Sequence, residues 1–227
     1  MSTKVALITG CSTGGIGFHL CEQFAARGVK VYATAHSVEK MKGFSYSGIE
    51  TLSLDVNSDK DIRRVVETIL AKEEKIDIVV NNAGAGVVAH GPTVDISIED
   101  VQAAFETNTI SIIRICKAVL PHMASHKQGL LITISSIAGN VPTPWSGIYS
   151  AIKAAVHSIT QTLQMECRLF NIDVMLVMPG GVKSNFTDNY LIRFHLPEDS
   201  LYSHYLPNIL ARILLSQMEA MPMDEFA

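Results

Sequence analysis

Short, largely apolar runs alternate with stretches of helical periodicity along the whole chain, and the first junction between the two kinds is a glycine loop. The runs at 5–9, 29–35, 49–54, 76–80, 130–135 and 173–178 are rich in Val, Ile and Leu. Continuous runs of this kind mark strands covered on both faces, as in a parallel sheet. Between them, 17–27, 58–71, 98–120 and 149–170 repeat their apolar residues at helical spacing. Parallel neighbours need a crossover, so this order predicts one α/β domain, a doubly wound Rossmann-type sheet with right-handed connections. Ser97, with Asp100 three residues on, predicts the cap of the third helix.

The first junction carries Gly10, Ser12, Gly14, Gly15, Ile16 and Gly17. Glycines there let a strand turn sharply into a helix whose free N–H groups face a pyrophosphate, while the backbone approaches it closely. A glycine cluster alone marks only a turn; its place after the first strand of an alternating chain predicts a dinucleotide site. An acid at the end of the second strand ordinarily accepts from the ribose 2′-hydroxyl. Ala33 to Ser37 holds no acid, which favours NADPH over NADH. Ser12 and His36 are candidate partners for the 2′-phosphate, the alternative for His36 being a solvated residue after a strand. Asp55, with Val56, follows the third strand and either accepts from the adenine amino group or begins a turn. Asn82, Ala83 and Gly84 follow the fourth strand, where they can brace the sheet beside the ribose.

Tyr149 and Lys153 stand one helical turn apart, with Ser136 at the end of the fifth strand. A free phenol titrates near 10. A neighbouring ammonium and an oxidised nicotinamide both favour phenolate, so this spacing predicts a lowered Tyr149 pKa and proton transfer near neutral pH. Ser136 lies where open α/β sheets place their ligands and can donate to a substrate carbonyl. Loop and proton donor together predict a redox enzyme.

The rest of the 227 residues narrows the alternatives. Apolar residues make up 48% and charged residues 18%, enough for a large core, and a net charge of −4 gives no reason to expect nucleic acid. Four cysteines without metal-type spacing suit reduced thiols and a cytoplasmic setting, and no apolar run is long enough to span a bilayer. His122 and His126 lack a third ligand, so no metal is expected, and the helix is expected to end near Pro121 between them and its core. Met218, Met221 and Met223 are expected to pack under a lid. Residues 185–227 are expected to form a substrate-covering loop and helical region. The Met221 to Ala227 stretch reads as a helix start with proline in its first turn, which suggests a truncated form.

Taken together, these motifs resemble the short-chain dehydrogenase/reductase family over residues 4 to about 186. Within it, the glycine loop and the segment from Ile148 to His157 look similar to fungal 1-acyldihydroxyacetone-phosphate reductase-like members. The resemblance implies that Tyr149 is the general acid in reduction and base in oxidation. It assigns Lys153 to the nicotinamide ribose and to lowering the tyrosine pKa, Ser136 to polarising the carbonyl, and Asn108 to a water in a proton relay. Pro179, Gly180, Val182 and Ser184 match the family's nicotinamide loop. The glycine loop is one residue longer than the common spacing, Ile152 replaces a serine, and His36 stands where many NADPH-dependent members carry arginine. The family also has a further helix and edge strand beyond residue 227, a route to homo-oligomers, and a full-length form with a membrane-associating tail is compatible with this chain. The expected function is NADPH-dependent reduction of a moderately apolar or lipid-like ketone. NAD-dependent alcohol oxidation and silent dinucleotide binding are the alternatives.

Overall fold

The computed structural model describes residues 3–84, 90–184, 191, 194–218 and 220–227. Six strands, β1 (Val5–Thr9), β2 (Lys30–Ala35), β3 (Ile49–Ser53), β4 (Ile78–Asn81), β5 (Gly129–Ile134) and β6 (Ile172–Val177), form one parallel sheet in the order β3-β2-β1-β4-β5-β6. Five longer helices accompany them: α1 (Ile16–Ala26), α2 (Asp59–Glu73), α3 (Ile98–Phe105), α4 (Ser111–His126) and α5 (Gly147–Cys167). After β6 come α6 (Leu206–Met218) and a single turn, α7 (Met223–Phe226). The predicted doubly wound fold is the observed one.

Strand alternation divides the core into two layers. Val5 and Leu7 of β1, with Tyr32, Val79 and Leu131, meet Ile62, Val65 and Ile69 of α2 and Ile112, Ile115 and Val119 of α4. Ala6 and Ile8, with Val31, Ala33 and Val80, meet Cys21 of α1 and the partly buried Leu20 and Phe24. Burying both faces explains why the strands read as continuous apolar runs. All four cysteines are buried free thiols.

Two helix boundaries differ from the sequence expectation. The third helix is interrupted by a π-helical turn, Glu106–Ile110, before α4 resumes. Asn57 Nδ2 donates to Thr107 Oγ1 at 2.9 Å and Arg114 pairs with Glu106, so both sides of the turn are tied down. α4 then runs through Pro121 to His126 rather than ending there, and His122 stacks on His126 within it at 4.4 Å. Proline removes one bond, to the carbonyl of Lys117, but that residue is exposed, where water can take the carbonyl, and the buried Val119 and Met123 hold the turn against the core. Ser97 caps α3 as expected, accepting from Asp100 N at 3.1 Å while donating to its carboxylate at 2.8 Å.

The chain end also departs in part. Pro222 caps α7, with Asp224 and Glu225 in its first turn. Met223 is buried, but Met218 and Met221 are 75% and 47% exposed, so they do not pack under a lid. The Met221 backbone instead lies parallel to Val182, donating to Gly181 O at 2.9 Å and accepting from Lys183 N at 3.0 Å. The loop and helical region expected over 185–227 falls partly outside the described residues; what is described there includes a 3-10 turn, Ser203–Tyr205, and α6.

Candidate active site

At the carboxyl ends of β1, β4 and β5, where strand order reverses direction, a cleft of about 680 Å³ opens. One side is the glycine loop. Gly10 has φ +74, and a Cβ there would lie 2.7 Å from Ala83 Cα, so neither the turn nor the approach tolerates a side chain. Gly14 takes the left-handed φ of 78 and Gly15 becomes the N-cap of α1, which divides the two roles that the longer loop left open. No acid occupies the first turn of α1, so its positive end faces the cleft uncompensated.

Asn82 locks this loop to the sheet. Its Nδ2 donates to Thr9 O at 2.8 Å and Gly10 O at 3.1 Å, while Asn82 N and Ala83 N both donate to Thr9 Oγ1, at 3.0 and 2.9 Å. Gly17 packs beneath: a Cβ on it would lie 2.6 Å from both Asn82 Nδ2 and Gly10 O. Farther out, Thr13 Oγ1 accepts from Lys42 N at 3.1 Å and has the carbonyls of Lys40 and Lys42 within reach of its one proton, joining the loop to the segment after β2.

The opposite side gathers Ser136, Tyr149, Lys153 and Asn108, with Pro179, Gly180, Val182 and Ser184 adjoining. Ser136 follows β5 and is held from both sides to β6 and the segment after it, Ser135 N donating to Val177 O at 2.8 Å and Ile137 N to Pro179 O at 3.0 Å. Its hydroxyl accepts from Ala138 N at 3.2 Å and bonds the Tyr149 hydroxyl. Lys153 Nζ sits 5.7 Å from the Tyr149 ring centre. Asn108 projects from the π-helical turn, its Nδ2 donating to Ala104 O at 2.9 Å and its Oδ1 reaching toward Gly84. An extra residue in a helical turn re-aims a side chain in this way.

The electrostatics correct one expectation. Burial raises the Tyr149 pKa, and the bond from Ser136 opposes that rise without reversing it. Burial also brings Lys153 down to about 8. An ammonium at that distance, itself desolvated, does not by itself make the phenol acidic.

Not every residue singled out from sequence lines the cleft. His36 is exposed beyond β2, its carbonyl accepting from Ser53 Oγ at 3.1 Å. Asp55 Oδ1 accepts from Asn57 N at 2.9 Å, the turn-starting arrangement, and Val56 is buried in the core. Gly17 and Ala83 support the wall from behind. Ser12, Ile16, Asn82 and Gly84 line it directly.

Sequence reasoning missed a second group. The His90 ring lies 4.6 Å from that of Tyr149, and its Nδ1 shares a hydrogen bond with Ser146 Oγ at 3.1 Å. Trp145 adopts a left-handed φ of 64, which sends Ser146 toward His90 and the indole onto Tyr202 and the Ile209–Ile213 face of α6. From α6, Arg212 donates to Thr143 Oγ1 at 2.6 Å, and Gln217 bridges Ser184 N and Val182 O at 3.2 and 3.4 Å. These residues come from distant segments with no shared spacing, so no sequence signal joins them.

The comparisons with known proteins agree with this geometry. A family profile described as short chain dehydrogenase matches residues 4–192. The NADPH-dependent 1-acyldihydroxyacetone phosphate reductase of Schizosaccharomyces pombe is 35% identical over 211 residues, 91% of this chain and 70% of that protein. A crystal structure of a short-chain dehydrogenase from Streptomyces avermitilis superposes with a TM-score of 0.85 at 28% identity, covering 99% of this chain and 81% of the other. A metagenomic short-chain oxidoreductase in complex with NADP gives 0.74 at 27% identity, over 85% and 90% of the two chains. No helix among the described residues is long and apolar enough to cross a membrane. The chain is an oxidoreductase that belongs to the short-chain dehydrogenase/reductase family.

Proposed function

We propose that this protein reduces a lipid-like ketone to an alcohol with NADPH, using Tyr149 as the proton donor. The observation that carries this reading is the convergence of Ser136, Tyr149 and Lys153 in one cleft with the glycine loop. The cradle fits a nicotinamide dinucleotide: Gly10 and Gly17 leave the space that any Cβ would fill, and the start of α1 presents unopposed N–H groups. Gly10, Ser12, Gly14, Gly15 and Ile16 would hold the pyrophosphate, and Asn82, Gly84, Pro179, Gly180, Val182, Ser184 and Lys153 the nicotinamide half. When bound, the reduced cofactor supplies a hydride to the carbonyl carbon.

The chain's own groups manage the oxygen. Ser136 Oγ and Tyr149 Oη converge on the carbonyl oxygen, and Tyr149 gives it a proton as C=O becomes CH–OH. Burial keeps the phenol protonated until that moment, which suits a donor in the reducing direction. The Lys153 ammonium stabilises the phenolate left behind, and Asn108, which lines the same cleft, supports resupply of the proton. Residues 185–227 serve as the substrate cover in this reading; α6 supports it by contributing Arg212, Ile213, Leu215 and Gln217 to the cleft wall. Ile213 and Leu215 among them, and the name of the Schizosaccharomyces pombe relative, favour an acyl-bearing substrate.

A panel of ketones assayed by NADPH consumption tests the reading, with NADPH and NADH compared on the same preparation. Turnover of at least one long-chain ketone, with NADPH bound at least about tenfold more tightly (about 1.4 kcal/mol), is the expected result. NAD-dependent oxidation has one observation in its favour: Glu39, after β2, folds back onto Ser37 and puts a carboxylate near the end of that strand. Tighter binding of NADH would make that the correct reading, and no turnover with any ketone or alcohol would leave a silent binding protein.

The pH profile follows from Lys153. The side chain is an ammonium below a pKa of about 8 and an amine above it. Reduction needs the charged form, so kcat/KM is expected to be level through neutrality and to fall as pH rises past about 8. Lys153→Arg should move the descent to higher pH, since guanidinium stays charged. A descent unmoved by that change would remove Lys153 as its source.

A further inference from the structure

The described wall of the cleft contains no Asp or Glu, although the chain as a whole carries a net charge of −4. Its fully ionisable cations are Lys153 and Arg212. Lys153 lies beside Tyr149 and has a place in the proposed chemistry. Arg212 has none. It is partly buried, donates to the Thr143 hydroxyl at 2.6 Å, and makes no ion pair among the described residues. A guanidinium has five donors in a planar fork suited to carboxylate or phosphate, and among the described residues one hydroxyl is its hydrogen-bond acceptor.

Its position separates it from the cofactor cradle. Thr143 belongs to the loop between β5 and α5, and the neighbouring Ser146 bonds His90, whose ring lies against Tyr149. The charge of Arg212 helps hold the His90 imidazole down at about 4, which places the guanidinium near that ring and keeps the imidazole neutral at working pH. Arg212 therefore lies near His90, in the part of the wall that also carries Thr143 and Ser146.

We infer that Arg212, with Thr143, forms an anion subsite of the substrate pocket, so that the ketone reduced here carries a phosphate or carboxylate a few bonds from its carbonyl. The inference rests on the reductase reading for the word ketone, but the subsite itself does not need turnover. His90, against the Tyr149 ring, and Ser146 line the same cleft, and the apolar Ile213 and Leu215 remain for the chain of the substrate. A substrate with an ammonium in the same place would meet the guanidinium and be rejected.

Two measurements test this on the whole chain. In the first, four ketones of one chain length are compared by kcat/KM, with a phosphate, a carboxylate, a hydroxyl or an amine at the same short distance from the carbonyl. Anionic ketones are expected to exceed the hydroxyl ketone by at least about tenfold and the amine to be poorest; the phosphate and carboxylate arms identify which anion the fork prefers. Arg212→Gln should bring the anionic-to-neutral ratio close to one, and Arg212→Lys should keep part of it. In the second, octyl phosphate and octanol are titrated calorimetrically into protein saturated with NADP, for the wild type and both variants. Tighter binding of octyl phosphate, lost in Arg212→Gln and partly kept in Arg212→Lys, supports the subsite even if no ketone turns over. In that case only the reductase reading fails. Equal binding of the two probes by the wild type, or an Arg212→Gln variant with unchanged preference, overturns the inference. A variant that loses NADP affinity instead assigns the guanidinium to the cofactor and also overturns it.

Discussion

Tyr149→Phe is expected to lower kcat for ketone reduction by about a thousandfold, the middle of the range that a positioned proton donor supplies. The change removes only the hydroxyl and its bond to Ser136. The ring stays, and with it the tilted contact with His90 at 4.6 Å and the proximity of Lys153. Ketone KM and NADPH affinity should therefore change little, because an interaction made only in the transition state is lost from kcat and kcat/KM together. Removing a buried hydroxyl along with its burden of desolvation leaves the melting temperature near that of the parent. Stopped-flow measurement of a single turnover separates chemistry from product release. A variant keeping more than about a tenth of the parental single-turnover rate would mean that another group delivers the proton.

Gly17→Ala is expected to act through architecture instead. One methyl would lie 2.6 Å from Asn82 Nδ2 and 2.6 Å from the carbonyl of Gly10, and the second of these is backbone. Relief requires α1 to move off the sheet or Asn82 to swing away, and either breaks the bonds to Thr9 O and Gly10 O. Overpacking of this kind costs about 1–3 kcal/mol. For a chain of this size that lowers the melting temperature by about 2–4 °C for each kcal/mol. Cofactor affinity should fall by roughly tenfold or more, since about 1.4 kcal/mol of lost contact suffices. Gly48→Ala is the control: its Cβ would approach nothing closer than Val29 O at 3.9 Å. Gly17→Ala with parental melting and NADPH affinity would show that the loop yields without cost.

What was legible in the sequence is what local physics dictates. Continuous apolar runs announce strands buried on two faces, and the observed parallel sheet has both faces covered. The glycine loop was legible because a sharp strand-to-helix turn tolerates few other residues. Ser136, Tyr149 and Lys153 were legible because two of them share a helix and the third ends a strand. Other features depended on partners distant in sequence. The π-helical turn at Asn108 is fixed by Asn57 and Arg114, and Pro121 is carried through α4 by core contacts that override a breaker. The direction of the Tyr149 shift was misjudged because spacing reveals a neighbouring charge but not the depth at which it is buried. Asp55 and His36 kept their expected chain positions, the first accepting from Asn57 N in a turn and the second exposed after β2. Arg212 was invisible for the same reason as His90: only tertiary folding brings α6 over the loop that carries Thr143.

The bridge that Gln217 makes to Val182 and Ser184, with Met221 paired beside them, gives the two compartments of the cleft a common wall. A ligand that settles the 182–184 segment also settles the helix carrying Arg212. Such a coupling is symmetric by thermodynamic necessity: whatever factor the dinucleotide adds to the affinity for the second reactant, that reactant returns to the dinucleotide. That coupling sets how strongly the two reactants favour each other's binding, and it dictates no order in which they arrive.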